Sequence, residues 1–220
     1  MIISHKKKFI FIHIYKTGGT SVTSLFAPYA RFIEKISTHY YLTKNIISVI
    51  NKLGRLQDEG NKWINGVHKH AKAVELQEYI GRDLYSEYFK FAFVRNPYDL
   101  QVSLYHYIKD NKGHRDHQIA NKLSFEDFVL REIKNKAPLQ SDFLINNGSV
   151  IIDFIGKTEN LDDDLKKIAN ILDVDYESIG KLNQSKRLKN YRLYYSDKLK
   201  KQVYKYYQKD FELLRYDSEI

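Results

Sequence analysis

Three short apolar runs along the chain predict buried β-strands. Phe9–Ile14 and Tyr88–Val94 are aromatic or β-branched at most positions, and Val150–Ile155 repeats this pattern later in the chain. Continuous apolar runs of about four to eight residues are typical of strands that are covered on both faces, as in a parallel sheet. The sequence therefore predicts three strands of one buried parallel sheet.

Amphipathic segments lie between and after these runs. In each of them apolar residues recur about every three or four positions, which predicts a helix with one buried face. The predicted helices are Thr20–Ile33, Thr43–Leu56, Ala71–Tyr79 with Gly81 as its C-cap, Tyr98–Ile108, a helix opened by Ser124, Glu159–Leu172 and Ser196–Phe211. Strands that alternate with helices predict the α/β class, with a three-layer parallel sheet flanked by helices. Because 220 residues are enough for one α/β domain and few for two, we expect a single domain spanning 1–220.

Composition narrows the possible functions. The chain has no cysteine, which excludes disulfides and thiolate metal sites, and its net charge of +9 favours anionic ligands. This charge is spread along the chain without a basic block, so it does not single out nucleic acid. No apolar stretch reaches the ~20 residues of a membrane span, and no signal peptide is recognisable. We expect no stable membrane insertion and a cytoplasmic location, with a peripheral position at the inner face of the membrane left open.

The turn after the first apolar run has the composition of an anion site. Glycines let a ligand approach the backbone, and Thr20 or Ser21 is suited to N-cap the following helix. The start of a helix presents N–H groups without intrahelical partners and the positive end of the helix dipole. The residues of this predicted phosphate site are Lys16, Thr17, Gly18, Gly19, Thr20 and Ser21.

A second turn, after the Tyr88–Val94 run, carries a complementary set of donors. Arg95 follows the strand directly, and Ser103 comes eight positions later on the predicted helix. The planar guanidinium can bind two phosphate oxygens while a hydroxyl donates to a third. Ligands of parallel α/β sheets lie at the carboxyl ends of the strands, where both turns fall. We therefore expect the two turns to share one site.

The two motifs together resemble those of the sulfotransferases that use 3′-phosphoadenosine 5′-phosphosulfate (PAPS). Lys16 precedes its glycines, whereas in a Walker A loop the lysine follows them. The chain is most similar to the carbohydrate sulfotransferases that include heparan sulfate 2-O-sulfotransferase and bacterial family members. Weaker matches cover nearly the whole chain. They are His70, Gln140, Gly156–Leu161, Asn183, Ser185, Tyr191, Asp210–Phe211 and Tyr216. The resemblance implies a fold like that of the P-loop NTPases.

The resemblance also implies roles for individual residues. Lys16 and the amides of Thr17–Ser21 would hold the 5′-phosphosulfate, and Arg95 with Ser103 would hold the 3′-phosphate. A basic loop would close over the nucleotide through Ser185, Lys186 and Arg187. PAPS would be the sulfuryl donor without a metal ion, and the acceptor would be a hydroxyl of a carbohydrate or glycoconjugate. The oligomeric state is left open.

Sulfuryl transfer to a hydroxyl requires a base, and the sequence offers two histidines for it. An unperturbed imidazole titrates near neutrality, so His68 and His70 are candidates, and His70 directly precedes a predicted helix. The resemblance to the heparan sulfate enzyme implies His68 as the base, whereas the resemblance to bacterial relatives implies His70, so both remain candidates. Lys16 is the third candidate catalytic residue. Glu75 is a more distant candidate. A zinc site at the His-x-His pair would need further ligands, and none is recognisable.

Two other functions are compatible with parts of the pattern. A nucleotide kinase or hydrolase would explain the anion turn. It would not explain why the lysine precedes the glycines, or why no magnesium-binding aspartate is recognisable. A non-catalytic RNA-binding module would explain the charge and the many aromatic residues, yet the aromatics fall mainly in apolar runs. Sulfotransfer is therefore the leading hypothesis.

Overall fold

A computed structural model describes residues 1–30, 69–178, 188 and 190–219 of the chain. Several sequence predictions lie outside these residues. They are the helix Thr43–Leu56, the candidate base His68, and Ser185, Lys186 and Arg187 of the basic loop. The described residues belong to two compact units, Met1–Val94 with Phe143–Leu182, and Arg95–Asp142 with Asn183–Ile220. The expectation of a single domain stays a prediction.

The first unit contains a four-stranded sheet. Its strands are β1 Ile2–Ser4, β2 Phe9–Ile12, β3 Phe89–Val94 and β6 Phe154–Lys157. They lie side by side in the order β1-β2-β3-β6. Strand β2 pairs in parallel with β3, and β3 pairs in parallel with β6, whereas β1 is antiparallel to β2. The register places Phe11 opposite Phe91, and Phe91 opposite Phe154.

Helices cover the aromatic face of this sheet. Phe9, Phe11, Phe91 and Phe93 form a buried cluster with side chains of helices α1, Gly19–Phe26, and α7, Leu161–Leu172. The alternate residues of β2 and β3 are buried as well, so water is excluded from both faces of these strands. The predicted α/β class, with a parallel sheet flanked by helices, is confirmed.

The predicted third strand is wrong in its position. A hairpin of β4, Ile145–Asn146, and β5, Ser149–Val150, contains the start of the predicted run, and the sheet strand begins only at Phe154. The hairpin turns through Asn147 and Gly148 at φ 48° and 81°, which an Asn-Gly turn favours. Asp153 lies between the two elements, and its Oδ2 accepts the backbone N–H of Lys90 in β3 over 2.7 Å and lies 2.8 Å from the ammonium of the same lysine.

The helices of the first unit match the sequence prediction only in part. Helix α2, Ala73–Ile80, ends at Gly81 with φ 87°, as predicted, whereas α3, Arg82–Glu87, which leads into β3, has no counterpart among the predicted helices. The predicted helix Thr20–Ile33 is shorter, because α1 ends at Phe26 and a 3₁₀ turn, Ala27–Tyr29, contains a proline that cannot continue the α-helical bonding.

The second unit is helical and rich in tyrosine. Its helices are α4 Pro97–Asp110, α5 His117–Lys122, α6 Phe125–Lys134 and α8 Asp197–Leu213. Tyr98, Tyr105, Tyr195 and Tyr207 pack with Phe128 and aliphatic side chains in its buried core. Side chains of Asn96, Ser124 and Ser196 cap three of the helices, which explains why these start close to their predicted positions. Among the described residues, no helix is long and apolar enough to cross a membrane.

Candidate active site

The turn between β2 and α1 has the backbone of an anion-binding loop. Lys16 has φ 63°, and Gly18, the N-cap of α1, has φ 78°. The prediction that Thr20 or Ser21 caps this helix is wrong, because the left-handed Gly18 holds the cap position and both residues lie in the first helical turn. The first N–H groups of a helix have no intrahelical acceptors, so this turn can donate to an anion.

Thr17 stabilises the turn from within. Its side chain is buried, and its hydroxyl donates to the carbonyl oxygen of Ile14 over 2.8 Å. The hydroxyl is thereby engaged with the turn itself, so only the amide of Thr17 is suited to ligand binding.

The two glycines of the turn meet different structural needs. At Gly18 a Cβ would lie 3.4 Å from Leu161, which is an ordinary contact, so its positive φ is what favours glycine. At Gly19 a Cβ would lie only 1.9 Å from Nε2 of His13. The His13 ring is therefore one reason for glycine at position 19, and the part of Gly19 in ligand binding stays a prediction.

His70 is anchored beside this turn. Its Nδ1 lies 2.6 Å from the carbonyl oxygen of His13, and the two rings are 4.6 Å apart. The Tyr15 ring packs edge-on against His70 at 5.1 Å. Because a carbonyl oxygen can only accept, Nδ1 carries the proton, and Nε2 carries the lone pair of the neutral ring. This is the tautomer that a base acting through Nε2 requires.

His13 and His70 form a histidine cluster beside the turn, and sequence reasoning missed His13. Its ring stacks on Phe11 at 5.5 Å, and desolvation, together with nearby positive charge, lowers its pKa well below the ordinary value. His13 is therefore neutral near pH 7. The available signal was a polar residue within an otherwise apolar strand run, next to the glycine turn.

Glu75, the more distant candidate for the base, has a structural partner. Its Oε2 accepts the backbone N–H of Lys72 at the start of α2 over 2.8 Å. A carboxylate in this place stabilises the helix start through the capping bond and the helix dipole. The geometry thus accounts for Glu75 as a helix cap.

Arg95 begins the second unit, directly after β3. Its Nε lies 3.4 Å from Oδ2 of Asp99, one helical turn further along. Its backbone is bound by the side chain of Gln140, which donates to the Arg95 carbonyl and accepts from the Arg95 amide. Ser103 is buried within α4. Lys16 belongs to the first unit, so the convergence of Lys16, Arg95 and Ser103 on one ligand stays a prediction.

Within the part of the chain that the structure describes, no three His, Asp or Glu side chains are grouped so that they could hold a metal ion. The donors around the glycine turn are amides, an ammonium and imidazole. They suit an anionic group.

A mainly parallel α/β sheet in which strand β2 leads through a glycine turn into helix α1 has a P-loop-like arrangement. The sulfotransferase family model matches residues 1–217, and the chain belongs to that family of enzymes. An uncharacterised protein of Archaeoglobus fulgidus is 36% identical over 107 residues, 47% of this chain and 83% of the archaeal one. Mouse sulfotransferase SULT7A1, solved in complex with PAP, is 13% identical with a TM-score of 0.47, over 96% of this chain and 86% of the mouse chain.

The family assignment confirms the resemblance that the Lys16 and Arg95 turns suggested. It confirms sulfotransferase membership and leaves the carbohydrate branch of the family a prediction.

Proposed function

We propose that the protein transfers the sulfuryl group of PAPS to a hydroxyl of a carbohydrate or glycoconjugate, with His70 as the general base. The observation that carries this proposal is the bond from His70 Nδ1 to the His13 carbonyl, 2.6 Å long. It fixes the tautomer of a histidine whose supporting residue also packs against Gly19, the first residue of α1.

The donor would bind through both turns. Lys16 and the amides from Thr17 to Ser21 would hold the 5′-phosphosulfate, since a helix start and an ammonium together favour a compact anion. Arg95 and Ser103 would bind the 3′-phosphate. Support for this second part is that Arg95 follows β3, and β3 is the parallel neighbour of β2 in the sheet.

The reaction is an in-line displacement at sulfur. Nε2 of His70 takes the proton of the acceptor hydroxyl as its oxygen forms the new S–O bond. The S–O bond to the 5′-phosphate breaks, and the electron pair goes to the leaving nucleotide. Lys16 stabilises the charge that develops on this leaving oxygen, as in phosphoryl transfer.

The carbohydrate acceptor rests on the likeness of the two motifs to the carbohydrate sulfotransferases. The net charge of +9 is compatible with an acidic glycan, and it serves an anionic nucleotide equally well.

A transfer assay with labelled PAPS and a panel of glycans tests the proposal, with wild type and His70→Ala compared. Loss of a general base lowers kcat by about 10²–10⁴-fold. The matched control is His117→Ala, because His117 Nδ1 also lies near a backbone carbonyl, that of Ile108, over 3.2 Å. We expect this control to keep wild-type kcat. A wild-type enzyme that transfers to none of the glycans would contradict the acceptor class, and retained kcat in His70→Ala would contradict the base.

A further inference from the structure

Gln140 binds both backbone groups of Arg95, its N–H and its carbonyl oxygen. Oε1 of Gln140 accepts the Arg95 N–H over 2.9 Å, and its Nε2 donates to the Arg95 carbonyl over 2.8 Å. The Gln140 side chain is buried. Two parallel bonds of this kind imitate the pairing of a neighbouring strand at the place where β3 has just ended.

Gln140 is itself held by a buried carboxylate on α8. Asp210 is fully buried, and its Oδ2 accepts the Gln140 N–H over 2.9 Å, while Oδ1 accepts the Ser141 N–H over 2.8 Å. Burial raises the pKa of Asp210, and the bonds from Ser141 and Gln140 oppose that shift. An aspartate supplies two acceptor oxygens at this place, whereas an asparagine supplies one.

The Arg95 side chain is restrained as well. The Arg95 side chain is 19% exposed, and its Nε lies 3.4 Å from Oδ2 of Asp99. Backbone and side chain of this arginine are therefore both fixed by buried or partly buried groups of the second unit. Binding of a phosphate by an arginine fork depends on such orientation, since two N–H bonds must meet two oxygens at once.

We infer that Gln140, held in place by Asp210, is a positioning residue that sets Arg95 for the terminal phosphate of the donor nucleotide. This inference rests on the proposed function. Neither residue needs to touch the nucleotide. Loss of their bonds would shift Arg95 and weaken nucleotide binding, while the reacting groups around Lys16 and His70 keep their geometry.

The test is calorimetric titration with 3′-phosphoadenosine 5′-phosphate (PAP), combined with steady-state kinetics. Gln140→Met removes both bonds to Arg95 at similar side-chain length. We expect the Kd of PAP and the KM of PAPS to rise about 10- to 100-fold, as expected when an arginine fork loses its alignment. The KM of the acceptor and kcat at saturating PAPS should stay within about threefold of wild type, a split that a general loss of stability would not produce.

Tyr206→Phe is the matched control. It removes a 2.6 Å bond from the same helix, α8, to the Ala137 carbonyl in the segment that leads to Gln140, and it leaves the Gln140 and Asp99 side chains that contact Arg95 in place. It should lower the melting temperature and leave the Kd of PAP unchanged. Asp210→Asn serves as a second variant if Gln140→Met does not fold, with a smaller rise of Kd expected.

A double-mutant cycle completes the test. In an Arg95→Ala background, Gln140→Met should cause no further loss of PAP affinity, because the residue it positions is gone. Additive losses would overturn the inference, and so would wild-type affinity in folded Gln140→Met. A wild-type protein that fails to bind PAP would overturn the proposed function together with the inference, whereas the other two outcomes would overturn the inference alone.

Discussion

The two turns that follow the neighbouring strands β2 and β3 are built in different ways. The Lys16 turn is stabilised by residues a few positions away, through the Thr17 bond to Ile14 and the left-handed Gly18. Arg95 instead depends on Gln140, 45 positions along the chain, which depends in turn on a carboxylate 70 positions beyond it. A local turn can form from its own sequence, whereas the second turn requires a folded second unit.

Among the substitutions in the Lys16 turn and in the residues packed against it, the largest effect is expected from the charged residue, Lys16. Lys16→Ala should lower kcat by about 10²–10³-fold, since it removes the group that would stabilise the leaving oxygen. The melting temperature should change little, because the turn is held by other contacts. Sulfuryl-transfer kinetics and thermal unfolding check this. Lys166→Ala, which removes an exposed lysine of α7, is the control and should match wild type in both measurements.

Gly19→Ala should break the contact between the turn and the histidine cluster. The added Cβ would lie 1.9 Å from the His13 ring, so the ring must move, and overpacking of this kind costs about 1–3 kcal/mol. Urea unfolding measures the loss. In a His13→Ala background the same substitution should cost much less. Equal costs in both backgrounds would show that the histidine is not what requires a glycine.

Acid should destabilise the first unit through His13. Desolvation lowers the pKa of His13 in the folded protein, so the unfolded chain takes up a proton at a higher pH than the folded one does. The contribution of neutral His13 to the free energy of unfolding is therefore complete above pH ~6.5, the pKa of an unfolded histidine. It is lost as the pH falls from there towards the lower pKa of the folded state, by up to about 1.4 kcal/mol per pH unit. Urea unfolding between pH 7 and 5 measures this, and His13→Gln should show a shallower slope. Identical slopes would exclude His13 as the source.

The smallest expected effect concerns the internal brace of the local turn. Thr17→Val keeps the shape of the side chain and removes the hydroxyl bond to Ile14, which should cost about 1 kcal/mol of stability. The kcat should stay within about threefold of wild type, since the amide remains. A loss of kcat as large as that of Lys16→Ala would indicate that the hydroxyl acts on the ligand.

The contrast between a turn held by nearby residues and one held by distant residues also explains which parts of the structure the sequence predicts. The strand, glycine turn and helix around Lys16 follow from local periodicity and turn composition, as do β3 and the caps at Ser124 and Ser196. The third strand shows where local pattern fails, because it begins several residues later than predicted, after Asp153, which is bound to Lys90, a residue far away in the chain. His13 and Gln140 could not be assigned roles, since their partners are distant in the chain.

The most direct test of the account is titration of the protein with PAP and with adenosine 5′-phosphate in the presence of a metal chelator. The account predicts tighter binding of PAP, by about 10²-fold or more if an arginine fork binds the additional phosphate. Arg95→Ala should abolish this preference, whereas Lys16→Ala should weaken both nucleotides and keep it. Equal affinity of the wild type for the two nucleotides, or a preference that survives Arg95→Ala, would contradict the account.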